Sequence, residues 1–285
     1  GLHEVEAVSD FYKDIRLRNS NQLADTRVFE NMMMAYHNHA ALVQLSTNTL
    51  HPYDVCRAAI ISWYYSTYFT CSAMIAGASG VMQDTHAGTA RALQSDVVKH
   101  GLLMNPFSLN LGSLRDSESE AEISAYRGIN KHDLSRTPQS DDEAWGALVS
   151  YLSGTREYER GRVEEKLRGE KEFKELGVAD FRKKQARELR DRRLDKASVN
   201  YLTQAFRFRG KANYRDSVFL SYGDDNTEKM VAFVNDLQIV SFALQRMAAA
   251  YLSRRVETGT WDLFVADLKE NSRLILDPGY LNFRT

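Results

Sequence analysis

The chain has 285 residues, of which 43% are apolar and 26% charged, and its formal net charge is −1. This composition is typical of a globular protein with a sizeable core, and four prolines with 16 glycines are too few turn residues for a strand-rich protein. The two cysteines, Cys56 and Cys71, belong to no CxxC or Cys/His cluster, so the sequence disfavours a zinc site and a disulfide scaffold. A reducing, cytoplasmic location fits this cysteine usage.

The first part of the chain predicts two long helices. Residues 4–46 have apolar side chains with a period near 3.6, which indicates one helix. A second helix is predicted over about 55–77, with Asp54 as its N-cap and a stop in the glycine-containing stretch 77–80. The uncharged segment 58–82 carries Ser, Thr, Tyr and Gly throughout, so we expect a buried central helix rather than a membrane span.

Two further helix starts are indicated by capping residues. Asp84 or Thr85 is placed to cap the helix that follows the glycine-containing stretch, and the sequence leaves the choice between them open. In the same way, Ser140 or Asp141 is placed to cap a helix later in the chain. Both pairs precede a polar-to-apolar transition, which is where a side-chain oxygen can satisfy the free amides of a first helical turn.

The composition changes in the second half of the chain. A charged helical insertion is predicted at about 116–198, and residues 181–215 hold twelve Lys or Arg against three Asp or Glu. A strongly amphipathic helix is then predicted over about 227–255. The sequence therefore predicts an all-α fold, an antiparallel up-and-down helical bundle in one domain, 1–285, that carries the charged insertion.

Two separated segments are similar to a known family. They are AAIISWYYSTYFTCSAMIAGASGVMQDTHAGTARAL, residues 58–93, and AFRFRGKANYRDSVFLSYG, residues 205–223. Together they resemble small bacterial members of the HEPN superfamily, which combine a Tyr-Tyr helix, a Ser- or Thr-His-x-Gly loop and an Arg-x-x-Ala-Asp-Tyr segment. The matching positions here are 64–65, 85–88 and 209–214, with Asn in place of Asp in the last of these.

The resemblance implies a bundle of four or five helices, often dimeric. Many members of the family are metal-independent ribonucleases with the motif Arg, four to six residues, His, whereas others bind nucleotides or partners without cleaving. Arg209 matches the arginine, but Tyr214 stands five places later, and a phenol with a pKa near 10 is a poor general base at neutral pH. A second candidate pair, Arg127 and His132, has the family spacing, although one straight helix would place the two side chains on different faces.

Basic side chains with interleaved aromatic residues suggest an RNA-binding surface near the second segment. The alternative is that these cations form a solvated helix face whose partners are the acidic run at 157–175, and that Arg209 and Tyr214 tie down a helix end. His86 and His100 are interpreted as caps or core-edge residues. The candidate RNA-binding residues are Arg182, Lys183, Lys184, Arg187, Arg190, Arg207, Lys211 and Arg215.

Three functions remain open at this point. The first is a metal-independent endoribonuclease or RNA-binding protein that acts as a toxin or antiviral defence effector. The second is a non-catalytic module that binds a nucleotide, RNA or a protein partner, and the third is a helical scaffolding protein. The first two predict RNA or a nucleotide as ligand, a homodimer, and an antitoxin or defence-complex partner. No cofactor, metal or membrane is expected.

Overall fold

The computed structural model describes residues 4–18, 21–48, 50–134, 136–214 and 227–283, with the side chains of 212–214 left aside. The chain forms two compact units, one made of Gly1–Ser108 with Ala205–Thr285 and the other of Leu109–Gln204. The regular secondary structure of the described residues is helical, and one isolated antiparallel bridge joins Leu111 to Val199. The predicted all-α fold is confirmed, and the segment predicted as a charged insertion lies inside the second unit.

The described residues contain eleven α-helices, and two 3-10 turns lie at Val98–His100 and Pro278–Leu281. In chain order they are α1 (Val5–Phe11), α2 (Gln22–Ser46), α3 (Pro52–Ser79), α4 (His86–Asp96), α5 (Asp116–Arg127), α6 (Asp141–Gly169), α7 (Lys171–Lys174), α8 (Lys184–Leu194), α9 (Tyr201–Tyr214), α10 (Thr227–Leu252) and α11 (Thr260–Asn271). The antiparallel up-and-down arrangement remains a prediction.

Helix α3 is the centre of the first unit, where it packs against α2 and α10. Its buried positions include Ser66, Thr67 and Thr70 beside many apolar side chains. The Thr70 hydroxyl can be buried because it donates to the backbone carbonyl of Ser66, one turn earlier on the same helix, at 2.7 Å. No helix among the described residues combines the length and the apolar character needed to cross a membrane.

A buried polar network links the three central helices of the first unit. His39 on α2 has its Nδ1 3.0 Å from the hydroxyl of Ser241 on α10, which lies 2.7 Å from the hydroxyl of Ser66 on α3. The Gln245 amide donates to the Ser66 hydroxyl at 2.7 Å and accepts from the Tyr280 hydroxyl at 2.6 Å. These bonds fix the register of α2, α3 and α10, because each buried polar group would be costly without its partner.

Helices α3 and α10 approach closely where α3 ends. A Cβ atom on Gly77 would lie 2.5 Å from Cδ2 of the buried Leu252, so any larger residue would force that side chain to shift. Helix α3 then ends at Gly80, whose φ of 75° is in the left-handed region. The Arg255 guanidinium donates to the carbonyls of Gly77 at 3.0 Å and Ala78 at 3.3 Å. A cation is favourable at this end of α3 because the C-terminus of a helix carries a partial negative charge.

Two predicted helix boundaries are wrong. The helix predicted over 4–46 is interrupted, since α1 ends at Phe11 and α2 begins at Gln22. The central helix begins at Pro52, and Asp54 lies in its first turn rather than at the N-cap. Proline is tolerated at the start of a helix because the amide that it lacks would have no helical partner there.

The capping predictions are decided by hydrogen bonds. The Thr85 hydroxyl accepts from the amide of Gly88 at 3.0 Å, so Thr85 rather than Asp84 caps α4. The Ser140 hydroxyl accepts from the amide of Glu143 at 3.2 Å, so Ser140 caps α6. In both cases the side-chain oxygen satisfies an amide that the first helical turn leaves free.

The second unit has its own core. One cluster lies between α5, α6 and α8, and a smaller one surrounds the short helix α7. The larger cluster consists of Leu111, Leu114, Ile123, Val149, Leu152, Leu194 and Val199, and the smaller of Leu167, Phe173, Phe181, Ala186 and Leu189. Two separate clusters of this size indicate that the charged segment is a folded unit and not an extended tail.

Candidate functional site

The three segments that resemble HEPN proteins meet in the first unit. Tyr64 and Tyr65 lie on α3, His86 is the first residue of α4, and Phe206 and Arg209 lie one turn apart on α9. The Phe206 ring centroid is 6.0 Å from that of Tyr64 and 5.4 Å from that of His86. We call these five residues the Arg209 cluster.

The guanidinium of Arg209 lies over aromatic rings. Its central carbon is 4.6 Å from the ring centroid of Tyr64, 5.1 Å from that of Phe206 and 5.8 Å from that of Tyr65. The ring faces attract the cation, and they also shield it from water. One terminal nitrogen donates to the Tyr65 hydroxyl over a long distance of 3.4 Å.

The charge of Arg209 is not matched by a carboxylate within the described part of the chain. Its Nε is buried there without a hydrogen-bond partner. A buried donor without a partner is costly, and a guanidinium binds phosphate and carboxylate oxygens better than neutral acceptors. An oxyanion is therefore a better partner for this guanidinium than a neutral acceptor.

His86 is hydrogen-bonded to a tyrosine of the same cluster. The Tyr64 hydroxyl lies 2.8 Å from His86 Nδ1, and the ring of Tyr68 stands edge-on to the imidazole with centroids 4.8 Å apart. Burial, and then the positive charge of Arg209, lower the pKa of the His86 imidazole below its ordinary value. The imidazole is therefore neutral at neutral pH and able to accept a proton.

Tyr64 remains a phenol in this environment. Burial raises the pKa of its hydroxyl, and the nearby Arg209 offsets only part of that rise. The hydrogen bond between Tyr64 and His86 thus joins two neutral groups. Whichever of them donates, the bond fixes the orientation of the imidazole ring and leaves Nε2 as the ring nitrogen for other partners.

The loop before α4 holds His86 in place. Gly88 lies in the first turn of α4, and a Cβ atom on it would lie 2.7 Å from Oε1 of Gln83 and 2.9 Å from the hydroxyl of Thr85, so glycine leaves room for these two side chains. The Thr89 hydroxyl donates to the Tyr68 hydroxyl at 3.2 Å, which ties α4 to α3. The Thr-His-x-Gly sequence is therefore the local reason that the imidazole faces α3.

The predicted partner of Arg209 falls partly outside the described chain. Tyr214 is the last residue of α9 and nothing is described of its side chain, while Arg215 lies outside the described residues. The pairing of Arg209 with Tyr214 remains a prediction. The histidine that the fold places near Arg209 is His86, which the sequence analysis interpreted as a cap or core-edge residue. The sequence signal for His86 was its position in the Thr-His-x-Gly segment.

The second predicted pair is not on one helix. Arg127 is the last residue of α5, and Gly128 ends the helix with a φ of 51°. His132 Nε2 lies 2.9 Å from the backbone oxygen of Arg136. No hydrogen bond or ring contact joins Arg127 to His132 in the described chain, although Arg127 Nε is buried without a partner. Their role as a catalytic pair remains a prediction.

The basic residues on and around α8 are largely paired with carboxylates. The pairs are Arg182 with Asp180, Lys184 with Glu188, Arg190 with Asp191 and Glu164, Arg192 with Glu172, and Arg193 with Glu170. Several of these carboxylates come from the acidic run at 157–175, as the alternative interpretation expected. The ion pairs favour the interpretation of this region as a solvated helix face. Pairs between exposed side chains are weak, so they do not prevent contact with RNA.

The remaining described candidates are Lys183 and Arg187, at the start of α8 and within it, and Arg207 and Lys211 on α9. Lys183 is the N-cap residue of α8, and the guanidinium of Arg187 donates to the backbone oxygen of Arg182 at 2.9 Å. Arg207 and Lys211 are half-buried residues of α9 in the first unit. Of the predicted RNA-binding residues, Arg207 and Lys211 are thus the two described ones that share a helix with Arg209.

No family model matches the chain, and neither the curated proteins nor the solved structures contain a match. In the part of the chain that the structure describes, no group of three or more His, Cys, Asp or Glu side chains is placed to hold a metal ion. Function must therefore be inferred from the geometry of the Arg209 cluster itself.

Proposed function

We propose that the protein binds RNA at the Arg209 cluster and cleaves it without a metal ion, as a toxin or antiviral defence effector related to HEPN ribonucleases. The observation that carries the proposal is the buried, unpartnered Nε of Arg209 beside the hydrogen-bonded Tyr64–His86 pair. A cation that lacks a carboxylate next to a neutral imidazole is suited to a phosphodiester, which needs charge stabilisation and a base.

Each side chain has a defined step in this reaction. His86, with Nδ1–H donating to the Tyr64 oxygen, takes the proton of a ribose 2′-hydroxyl at Nε2, and the 2′-oxygen attacks the adjacent phosphorus while the bond to the 5′-oxygen breaks. The products are a 2′,3′-cyclic phosphate and a 5′-hydroxyl, to which the imidazolium returns the proton directly or through water. Arg209 stabilises the negative charge that develops on the phosphoryl oxygens.

The HEPN resemblance supports the proposal in a modified form. The three matching segments, although far apart in sequence, contribute to one cluster around Arg209. The histidine comes from the Thr-His-x-Gly loop and not from the position five residues after the arginine. Arg209 and His86 thus approach each other from different helices, which removes the requirement that the two share one helical face.

A non-catalytic module is the second candidate, and one observation favours it. His86 already uses Nδ1 in its bond to Tyr64, and four aromatic rings surround the imidazole, which restricts access to it. Phosphate binding requires only Arg209, so a nucleotide- or RNA-binding role follows from the same site. A homodimer and an antitoxin or defence-complex partner remain part of both proposals and are tested by light scattering after size-exclusion chromatography.

The test is cleavage of a fluorescently labelled RNA pool in EDTA, followed by binding of the same RNA at about 50 and 200 mM salt. We expect Arg209→Ala and His86→Ala to reduce kcat/KM by about 100-fold or more. The matched control is Arg192→Ala, which removes an exposed cation that is paired with Glu172.

Each outcome distinguishes the candidates. Cleavage lost in both cluster variants and kept in the control supports the ribonuclease. Salt-sensitive binding that is weakened by Arg209→Ala, without cleavage by the wild type, supports the non-catalytic module. Wild-type protein that neither binds nor cleaves RNA would leave the scaffolding function as the remaining candidate.

A further inference from the structure

A small cavity lies between α2 and α3, next to the Arg209 cluster. Its volume is about 60 Å³, which corresponds to roughly two water molecules. The cavity combines two aromatic rings, two amides and an apolar rim. The residues that provide these groups are Tyr68, Phe69, Asn31, Gln83, Val81 and Met82.

The cavity has unused hydrogen-bonding groups. Asn31 is only 8% exposed, and its Nδ2 donates to the backbone oxygen of Arg27 at 2.7 Å. That bond identifies which side-chain atom is the nitrogen, so Oδ1 is left as an acceptor. Within the described residues, no hydrogen bond engages Asn31 Oδ1 or the amide of Gln83. A free acceptor on a side chain that is largely buried at the wall of a small cavity suits a ligand that brings an N–H group.

An aromatic wall connects this cavity to the Arg209 cluster. Tyr68 lines the cavity, and its ring also contacts that of His86. On the same helix, the rings of Tyr65 and Phe69 are 6.2 Å apart and tilted by 30°. These two residues are one helical turn apart, about 6 Å along the axis. A nucleotide with its phosphate at Arg209 could therefore place its base at the entrance of the cavity.

We propose that the cavity is a subsite for the exocyclic amino group of a nucleobase, so that the protein prefers adenine or cytosine over uracil. This inference depends on the proposed function, because it places the phosphate of the same nucleotide at Arg209. The amino group of adenine or cytosine donates to Asn31 Oδ1. Uracil would present a carbonyl oxygen to Asn31 Oδ1, and two acceptors cannot form a hydrogen bond with each other.

The size and the rim of the cavity agree with this ligand. A space for about two waters takes the edge of a base and not the whole ring. The ring itself would stack on Phe69, while Val81 and Met82, which are 40% and 56% exposed, cover its other side. An Asn side chain that reads an amino group beside a ring nitrogen is a recurrent means of base recognition.

The experiment measures binding of fluorescein-labelled oligo(A), oligo(C) and oligo(U) of equal length by fluorescence polarisation, with 2′-O-methyl ribose to prevent cleavage. We expect the wild type to bind oligo(A) and oligo(C) about tenfold more tightly than oligo(U). Asn31→Ala should remove this preference. The matched control is Asn38→Ala, since Asn38 lies on the same helix and makes the same kind of bond, to the backbone oxygen of Met34 at 2.8 Å.

The outcomes separate this inference from the proposed function. Arg209→Ala should weaken all three oligonucleotides alike, and if it weakens none of them the proposed function fails. If Arg209→Ala weakens all three but the wild type shows no preference among bases, only the amino-group subsite is overturned. If circular dichroism shows that Asn31→Ala is unfolded, Asn31→Asp replaces it, because aspartate keeps an acceptor oxygen at this position. A retained preference of Asn31→Asp for oligo(A) and oligo(C) supports the subsite, and a lost preference overturns it.

Discussion

Replacement of His39 by glutamine should make the protein less sensitive to acid. His39 is fully buried, and burial lowers the pKa of its imidazole to about 4. In the unfolded chain the same imidazole has a pKa near 6.5. Between pH 6.5 and 4 the unfolded state therefore binds a proton that the folded state does not, and the free energy of unfolding decreases as the pH falls through this window.

The size of the effect follows from the two values. A difference of about 2.5 in pKa corresponds to about 3.5 kcal/mol, because each unit is worth about 1.4 kcal/mol. Above pH 6.5 both states hold His39 neutral, and it makes no contribution to the pH dependence. His39→Gln removes the titrating group but keeps a side chain able to reach the hydroxyl of Ser241, so the variant should lose less stability in acid than the wild type.

The assay is urea unfolding at several pH values from 7 to 4.5, followed by the far-ultraviolet circular dichroism of the helices. The control is His37→Gln, which changes an exposed histidine two residues away on α2. Wild type and control should lose about 2 to 3 kcal/mol more than His39→Gln over this range. Equal losses in all three proteins would show that the buried imidazole does not control acid stability.

Three further outcomes are expected. Gly77→Ala should destabilise the protein by about 1 to 3 kcal/mol in urea unfolding, because the new methyl group would overlap Leu252. A cost near zero would mean that α3 and α10 are farther apart than described. Thr85→Ala should lower stability by about 1 kcal/mol through loss of the α4 cap, and a loss below a few tenths would contradict that role. Arg209→Met should raise the pKa of His86, as measured by NMR titration of the imidazole, because it removes a positive charge, whereas an unchanged pKa would place Arg209 too far away to act on His86.

Much of the helical architecture could be predicted from local sequence signals. The central helix, its glycine stop and the amphipathic helix near the C-terminal end all follow from apolar periodicity and breaker residues. The interruption between α1 and α2 was missed, because residues 4–46 contain no proline or glycine to mark it. The start of α3 at Pro52 was also missed, since Asp54 is by type a better capping residue than His51, which precedes the helix without a side-chain cap.

The candidate site was predictable in its parts but not in its assembly. The sequence identified Arg209 and the segments containing Tyr64 and His86, but not the contacts among them, because only short spacings are visible in one dimension. The pairing of Arg209 with Tyr214 remains a prediction. The pairing of the charged stretch with the acidic run at 157–175 was predicted only as one of two alternatives, and Arg190, Arg192 and Arg193 do pair with Glu164, Glu172 and Glu170 from that run. A count of Lys and Arg along the chain does not record such long-range neutralisation.

The order of the cluster residues along the chain has a consequence for protein synthesis. Tyr65 and Arg209 are separated by 144 residues, so the aromatic face of α3 leaves the ribosome well before the guanidinium that covers it. At about 5 to 20 residues per second, this delay amounts to roughly 7 to 30 s. A nascent or prematurely terminated chain therefore carries the imidazole but not the cation, and under the proposed function it should be inert towards RNA until translation has passed α9.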